Sequence, residues 1–190
     1  MGTQKSFYMS MLLHEYITKH DRDHTLELLA TNRYLDVNNL CQEMDVPFIR
    51  ALDDNLLDIA EGILYHPAFD PMVITGRCEN TVVAETMDNI ILLSGLSKFK
   101  KNIAKMIEMV LHMLWHEKFN QNLKCGLMNN TLLHYASDSK ILTPIMKELL
   151  RMDKKYINEK NTLGYSPLDM AIEAGNKEGE RLLRIYGAKD

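Results

Sequence analysis

A chain of 190 residues, 46% hydrophobic and 25% charged, can bury a core and fold as an ordinary water-soluble protein. A net charge of −4 argues against general nucleic-acid binding, which needs clustered lysine and arginine, and no segment approaches the roughly 20 apolar residues that cross a bilayer. With no leader-like N-terminus, a cytoplasmic or nuclear location without membrane contact is expected, and Cys41, Cys78 and Cys125, lacking C-x-x-C spacing, imply neither a disulfide framework nor a zinc site.

Apolar spacing predicts a divergent first helix pair from about Met11 to Leu29. Within it, the charged stretch His20-Asp21-Arg22-Asp23-His24 reads as a turn rather than as continuous helix. Val46-Pro47-Phe48-Ile49-Arg50-Ala51 opens a second pair, with Leu56, Leu57, Ile59, Ala60, Ile63 and Leu64 on its other helix. A third, longer pair is predicted from about Thr81 to Leu93, broken at Ser94-Gly95, and from about Lys98 to His116. Its second helix would bury Ile103, Met106, Ile107, Val110, Leu111 and Leu114. The alternative places Ile90-Ile91-Leu92-Leu93 as an apolar plug in a long loop. Thr131-Leu132-Leu133-His134-Tyr135-Ala136 opens a fourth pair, followed by Ile141, Leu142, Ile145, Met146, Leu149 and Leu150. In the fifth, Ser166 is an N-cap and Pro167 suits the first turn. Leu168, Ala171 and Ile172 share a face, Gly175 stops the helix, and Leu182-Leu183 belong to the last one.

The strings beginning at residues 46, 81, 131 and 166 step by 35, 50 and 35 residues, so the third unit is enlarged by about 15. Gly164-Tyr165-Ser166-Pro167-Leu168-Asp169-Met170-Ala171, then Gly175, Leu182-Leu183 and Gly187-Ala188, resembles the ankyrin repeat, as do the Asp36-Val37-Asn38 and Ile157-Asn158 endings. The resemblance implies an all-α, ankyrin-type solenoid of about five stacked helix pairs in one domain over 1–190. Its units are about 8–38, 41–73, 76–122, 126–158 and 161–190. Pro47, Ala51, Thr131, His134, Ala136, Gly164, Pro167, Leu168, Ala171 and Gly175 would be its structural positions. Only the copy with Thr131 and His134 retains both residues that in this family join adjacent repeats by hydrogen bonds.

Chemistry is sparse. His112 and His116 have the i,i+4 spacing of paired ligands but lack H-E-x-x-H, and no phosphate loop or G-x-S-x-G elbow is present. No cofactor, metal or small-molecule substrate is expected, and no enzyme activity; the remote alternative is a metal-dependent enzyme using His112 and His116. The family resemblance implies a concave binding surface built from the first helices and their preceding loops. An acid follows two places after Ala51, Thr86, Ala136 and Ala171, giving Asp53, Asp88, Asp138 and Glu173, with Asp54 adjacent, all toward helix C-termini where the dipole disfavours them. Solubility is the competing explanation for this column. Glu43, Asp45 and Arg77 in the loops, and Tyr165 as an aromatic anchor, complete the expected partner surface. The partner would present a basic segment. Lys98, Lys100, Lys101 and Lys105 form the one basic cluster, read as a solvated helix face or as a site for an acidic partner or phosphate groups. The expected function is a non-catalytic regulatory subunit or inhibitor acting through its concave acidic face. The alternative is an adaptor, or a pathogen-borne mimic of a host ankyrin protein of the NF-κB-inhibitor or kinase-inhibitor type.

Overall fold

The computed structural model describes residues 2–40, 45–76 and 79–189, with side chains from residue 7 onward. It is all-helical, and the helices pack in pairs. The first pair is α1 (Gly2–Thr18) with α2 (Arg22–Thr31), and the second is α3 (Pro47–Asp53) with α4 (Leu57–Leu64). The third is α5 (Val82–Ser94) with α6 (Lys100–Leu114), joined through a 3-10 turn at Ser97–Phe99. The fourth is α7 (Leu132–Ser137) with α8 (Thr143–Met152), and the fifth α9 (Pro167–Glu173) with α10 (Lys177–Tyr186). Odd-numbered helices touch the next odd-numbered helix along the chain, and even-numbered ones the next even-numbered helix. The hairpins therefore lie side by side, with one row of odd helices and one row of even helices.

Each hairpin alone would expose an apolar face, and stacking closes it. Phe48, Ile49, Ile59, Ile63, Met87, Ile90, Met106, Met113, Ile145 and Leu149 are all buried in one continuous core. Helix starts follow from capping chemistry. Thr81 accepts from the Ala84 N–H, Ser166 from the Asp169 N–H and Asn176 from the Gly179 N–H, each satisfying a donor that the first turn leaves open. Val46 has no such side chain, and Pro47 at the first turn reduces the need by bringing no N–H. Gly175, at φ +65°, turns the chain out of α9.

Several expectations are corrected in detail. α1 starts at Gly2, well before Met11. The Ile90–Leu93 stretch is helical, with Ile90 buried, and is not a loop plug. In α6 the buried stripe is Ile103, Met106, Met109, Val110, Met113 and Leu114; Ile107 and Leu111 are only half-buried, because the helix is covered by α5 on one side and by α4 and α8 along its row. Ile172 faces out, since among the described residues α7 is the odd helix packed against α9 and it covers the other side. Cys125 is a buried free thiol, while Cys41 and Cys78 lie outside the described residues.

Candidate interaction surface on the odd helix row

The loops that lead into the odd helices stack on one another. Isolated bridges pair Ile74 with Thr81 before α5 and Cys125 with Asn130 before α7. The Gly126 N–H donates to the Glu79 carbonyl (3.0 Å) and the Thr162 N–H to the Met128 carbonyl (2.9 Å), so each loop is tied to the one before. Side chains reinforce this. Asn161 Nδ2 donates to Asn130 Oδ1 (2.9 Å), and Tyr135 Oη donates to Asn80 Oδ1 (2.6 Å), both within buried surroundings where an unmet polar group would be costly.

His134 is the centre of the strongest link. The Thr131 N–H donates to its Nδ1 (3.2 Å), and Thr131 Oγ1 lies 2.8 Å from the same nitrogen. Nδ1 is therefore the acceptor, which leaves the hydrogen on Nε2, and Nε2 donates to the Tyr165 carbonyl of the next loop (3.0 Å). Burial, the largest influence, holds its pKa below the ordinary 6.5. In α9 the equivalent position is Asp169, which accepts from both the Ser166 N–H and hydroxyl (2.7 Å each). There the carboxylate closes the cap within its own helix.

The acidic residues expected to face a partner separate into distinct groups. Asp138 and Glu173 are exposed at the ends of α7 and α9, and Asp53 is exposed at the end of α3, where it accepts from Asn89 Nδ2 of α5 (3.2 Å). Asp54 is engaged by Arg50 (2.9 Å) and approached by His20 (3.7 Å), so much of its charge is met within the chain. Asp45 is fully buried, and its charge acts on His14 of α1. It cannot face a partner. The loop turns it inward against the first hairpin. Glu43 and Arg77 lie outside the described residues. Tyr165 is 38% exposed, its backbone held by Asn161 and His134, which leaves a partly free ring on a fixed loop.

Asp88 is not near a helix end, because α5 runs on to Ser94. It is half-buried and accepts from Asn80 Nδ2 (3.1 Å), while Glu85 lies buried one turn before it on the same helix. Burial first, then the charges of Asp138 on the neighbouring hairpin and of Glu85, push its pKa up to about 7. Between the ordinary value of 3.8 and about 7 the folded chain holds this proton and the unfolded chain does not, so stability falls as pH rises through that window. Asp88→Asn is expected to raise stability at pH 7.5 by about 1–2 kcal/mol and to change it little at pH 4, read from urea unfolding at the two pH values.

His112 and His116 pack edge-on against Tyr65 (4.8 Å) and Phe69 (6.0 Å) of the second hairpin, and His116 Nδ1 accepts from the Lys118 N–H (3.2 Å). Among the described residues no group of three or more His, Cys, Asp or Glu could hold a metal ion, and no helix is long and apolar enough to cross a membrane. Asn80, Gly126, Asn130, Tyr135 and Asn161 hold the loops but do not stand out in the sequence. A usable signal was the Asn-Thr pair repeated at Asn80-Thr81 and Asn130-Thr131, immediately before two odd helices. No family model matches the chain, and no curated protein matches it.

Proposed function

We propose that the chain is an ankyrin-type, non-catalytic partner-binding module that acts as a regulatory subunit or inhibitor by covering a basic segment of another protein. The odd helix row and its loops form the contact surface. Asp53, Asp138 and Glu173 supply its charge, Asp88 is half-buried and ionises only above about pH 7, and Tyr165 is an anchor at one end. The observation that carries this reading is the exposure of Asp53, Asp138 and Glu173 at the C-terminal ends of three odd helices. Burial is the larger cause of the raised Asp88 pKa and the charge of Asp138 the smaller, so a Lys or Arg from a partner would offset the Asp138 part. Asp53 and Asp138 also carry a cost, because carboxylates at helix C-termini are disfavoured by about 0.3–1 kcal/mol each.

The repeat reading is supported by side-by-side hairpins and by the Thr131–His134–Tyr165 link. Its experiment is charge reversal. A partner isolated with the native protein should bind the combined variant Asp53→Lys, Asp138→Lys, Glu173→Lys about 10-fold or more weakly, chiefly through a slower on-rate that depends on salt. Equal affinity for the variant and the native chain would remove the acidic row from the contact.

A further inference from the structure

The N-terminal ends of α3, α5, α7 and α9 are equivalent in the repeat pattern, so the extra length of the third hairpin appears at its turn. α5 has 13 residues and α6 has 15, against 7 and 8 for α3 and α4. At 1.5 Å per residue the end of α5 runs roughly 9 Å past the end of α3. Its flank overhangs the short α3–α4 turn and forms a cavity of about 260 Å³ there. The cavity is lined by Leu52, Leu57, Leu93, Phe99 and Met106, with Asn55, Asn89 and Asn102 among its polar groups. Asn102 Nδ2 donates to Asn55 Oδ1, and Asn89 Nδ2 to Asp53 Oδ1, so these groups are fixed. A cavity of about 150 Å³ holds a benzene ring, so this one takes a leucine or aromatic side chain.

Two further observations concern the same overhang. Leu92, which also lines the cavity, is 74% exposed, and Leu96 at the turn is 47% exposed, placing apolar surface beside the opening. From residue 89 to residue 107 the chain has no Asp or Glu and carries Lys98, Lys100, Lys101 and Lys105. Lys105 is paired with Glu61, but Lys98, Lys100 and Lys101 are exposed, and Lys98 Nζ stands 4.8 Å above the ring of Phe99, a cavity-lining residue. In a chain of net charge −4, this overhang is a basic island.

We propose that the overhang is a second docking site, distinct in charge from the acidic row, for an acidic segment of a partner protein that carries one leucine or aromatic anchor. The anchor enters the cavity, and carboxylates flanking it meet Lys98, Lys100 and Lys101. The shaped apolar cavity selects a side chain over a bare phosphate, and the lysines select the sign of the segment. Asp53 at the cavity marks the side away from which the acidic flank runs.

The test is selection of short random peptides displayed on phage against the full chain, followed by affinity measurement with the enriched peptides. Enriched sequences should pair two or more acids with one Leu, Phe or Trp. Their affinity should fall about tenfold in the combined Lys98→Glu, Lys100→Glu, Lys101→Glu variant, fall with Leu92→Asp, and stay unchanged in Asp138→Lys, Glu173→Lys. All these positions are exposed, so each variant is expected to remain folded, and a cooperative unfolding transition serves as the control. Basic peptides that lose affinity in Asp138→Lys, Glu173→Lys would belong to the acidic row; the proposal is overturned if no acid-containing peptide is enriched or if those enriched bind the lysine variant equally. It is equally overturned if, without peptide enrichment, vesicles containing phosphatidylserine or a second copy of the chain bind in a lysine-dependent way.

Discussion

Gly126→Ala is expected to destabilise the chain by about 3 kcal/mol or more, whereas Gly175→Ala should cost only about 1 kcal/mol. Both glycines have left-handed backbone, φ +73° and φ +65°, so the conformational penalty is shared. Space separates them. A Cβ on Gly126 would stand 2.4 Å from Tyr135 Oη and 2.6 Å from Asn80 Oδ1, and nothing lies within 4 Å of one on Gly175. To admit the methyl group, the buried Tyr135–Asn80 hydrogen bond must open, and Asn80 would then release Asp88 as well. The comparison is made by urea unfolding of both variants. Similar losses would show that the loop stack tolerates movement and that the Asn80–Tyr135 contact is not what positions α5 against α7.

His134→Ala is the second large effect, expected at about 2–4 kcal/mol. It empties a buried volume and leaves the Thr131 N–H and the Tyr165 carbonyl without their partner, each such loss being worth about 1–3 kcal/mol. Asp169→Ala breaks the corresponding cap in the last hairpin but no link to a following loop. It should cost only about 0.5–2 kcal/mol. The difference between the two contains the link between hairpins together with the cavity left by the buried ring. A pH signature accompanies it. Because burial lowers the His134 pKa, the unfolded chain takes up a proton at 6.5 while the folded chain resists it. The contribution is therefore full above 6.5 and is lost as pH falls through the folded value. His134→Ala should flatten stability in that range. Its sign is opposite to that of Asp88, so the two variants distinguish the groups.

The helices were legible in the sequence because capping and apolar spacing agree: Thr81, Ser166 and Pro167 open helices, and Gly175 ends one. The long third hairpin was legible from the 50-residue step alone. What escaped was the direction in which particular side chains turn. Asp45 reads as a loop acid, yet the path into α3 buries it against the first hairpin; Asp54 reads as free surface charge, yet Arg50 one helical turn earlier meets it. Ile172 completes an apolar face in periodicity, but α7, the odd helix packed against α9, covers the other side. Asp45 and Ile172 depend on neighbours distant in the chain, which one-dimensional spacing does not contain, whereas the Arg50–Asp54 pair is local and its i,i+4 spacing was there to be read. Dependence on distant neighbours also hides the cavity at the third hairpin, which arises from a difference in length between α3 and α5 and from no motif in either.

The account depends on a partner lying along the odd helix row. Its most direct measurement is photo-crosslinking in the native cell with a reactive amino acid placed singly at Asp53, Asp138 and Glu173, and, for comparison, at Arg151 and Arg181 in the even row. Crosslinks from all three odd-row positions to one protein, with none from the even row, are the expected result. The same protein captured only from Arg151 or Arg181 would contradict the assignment.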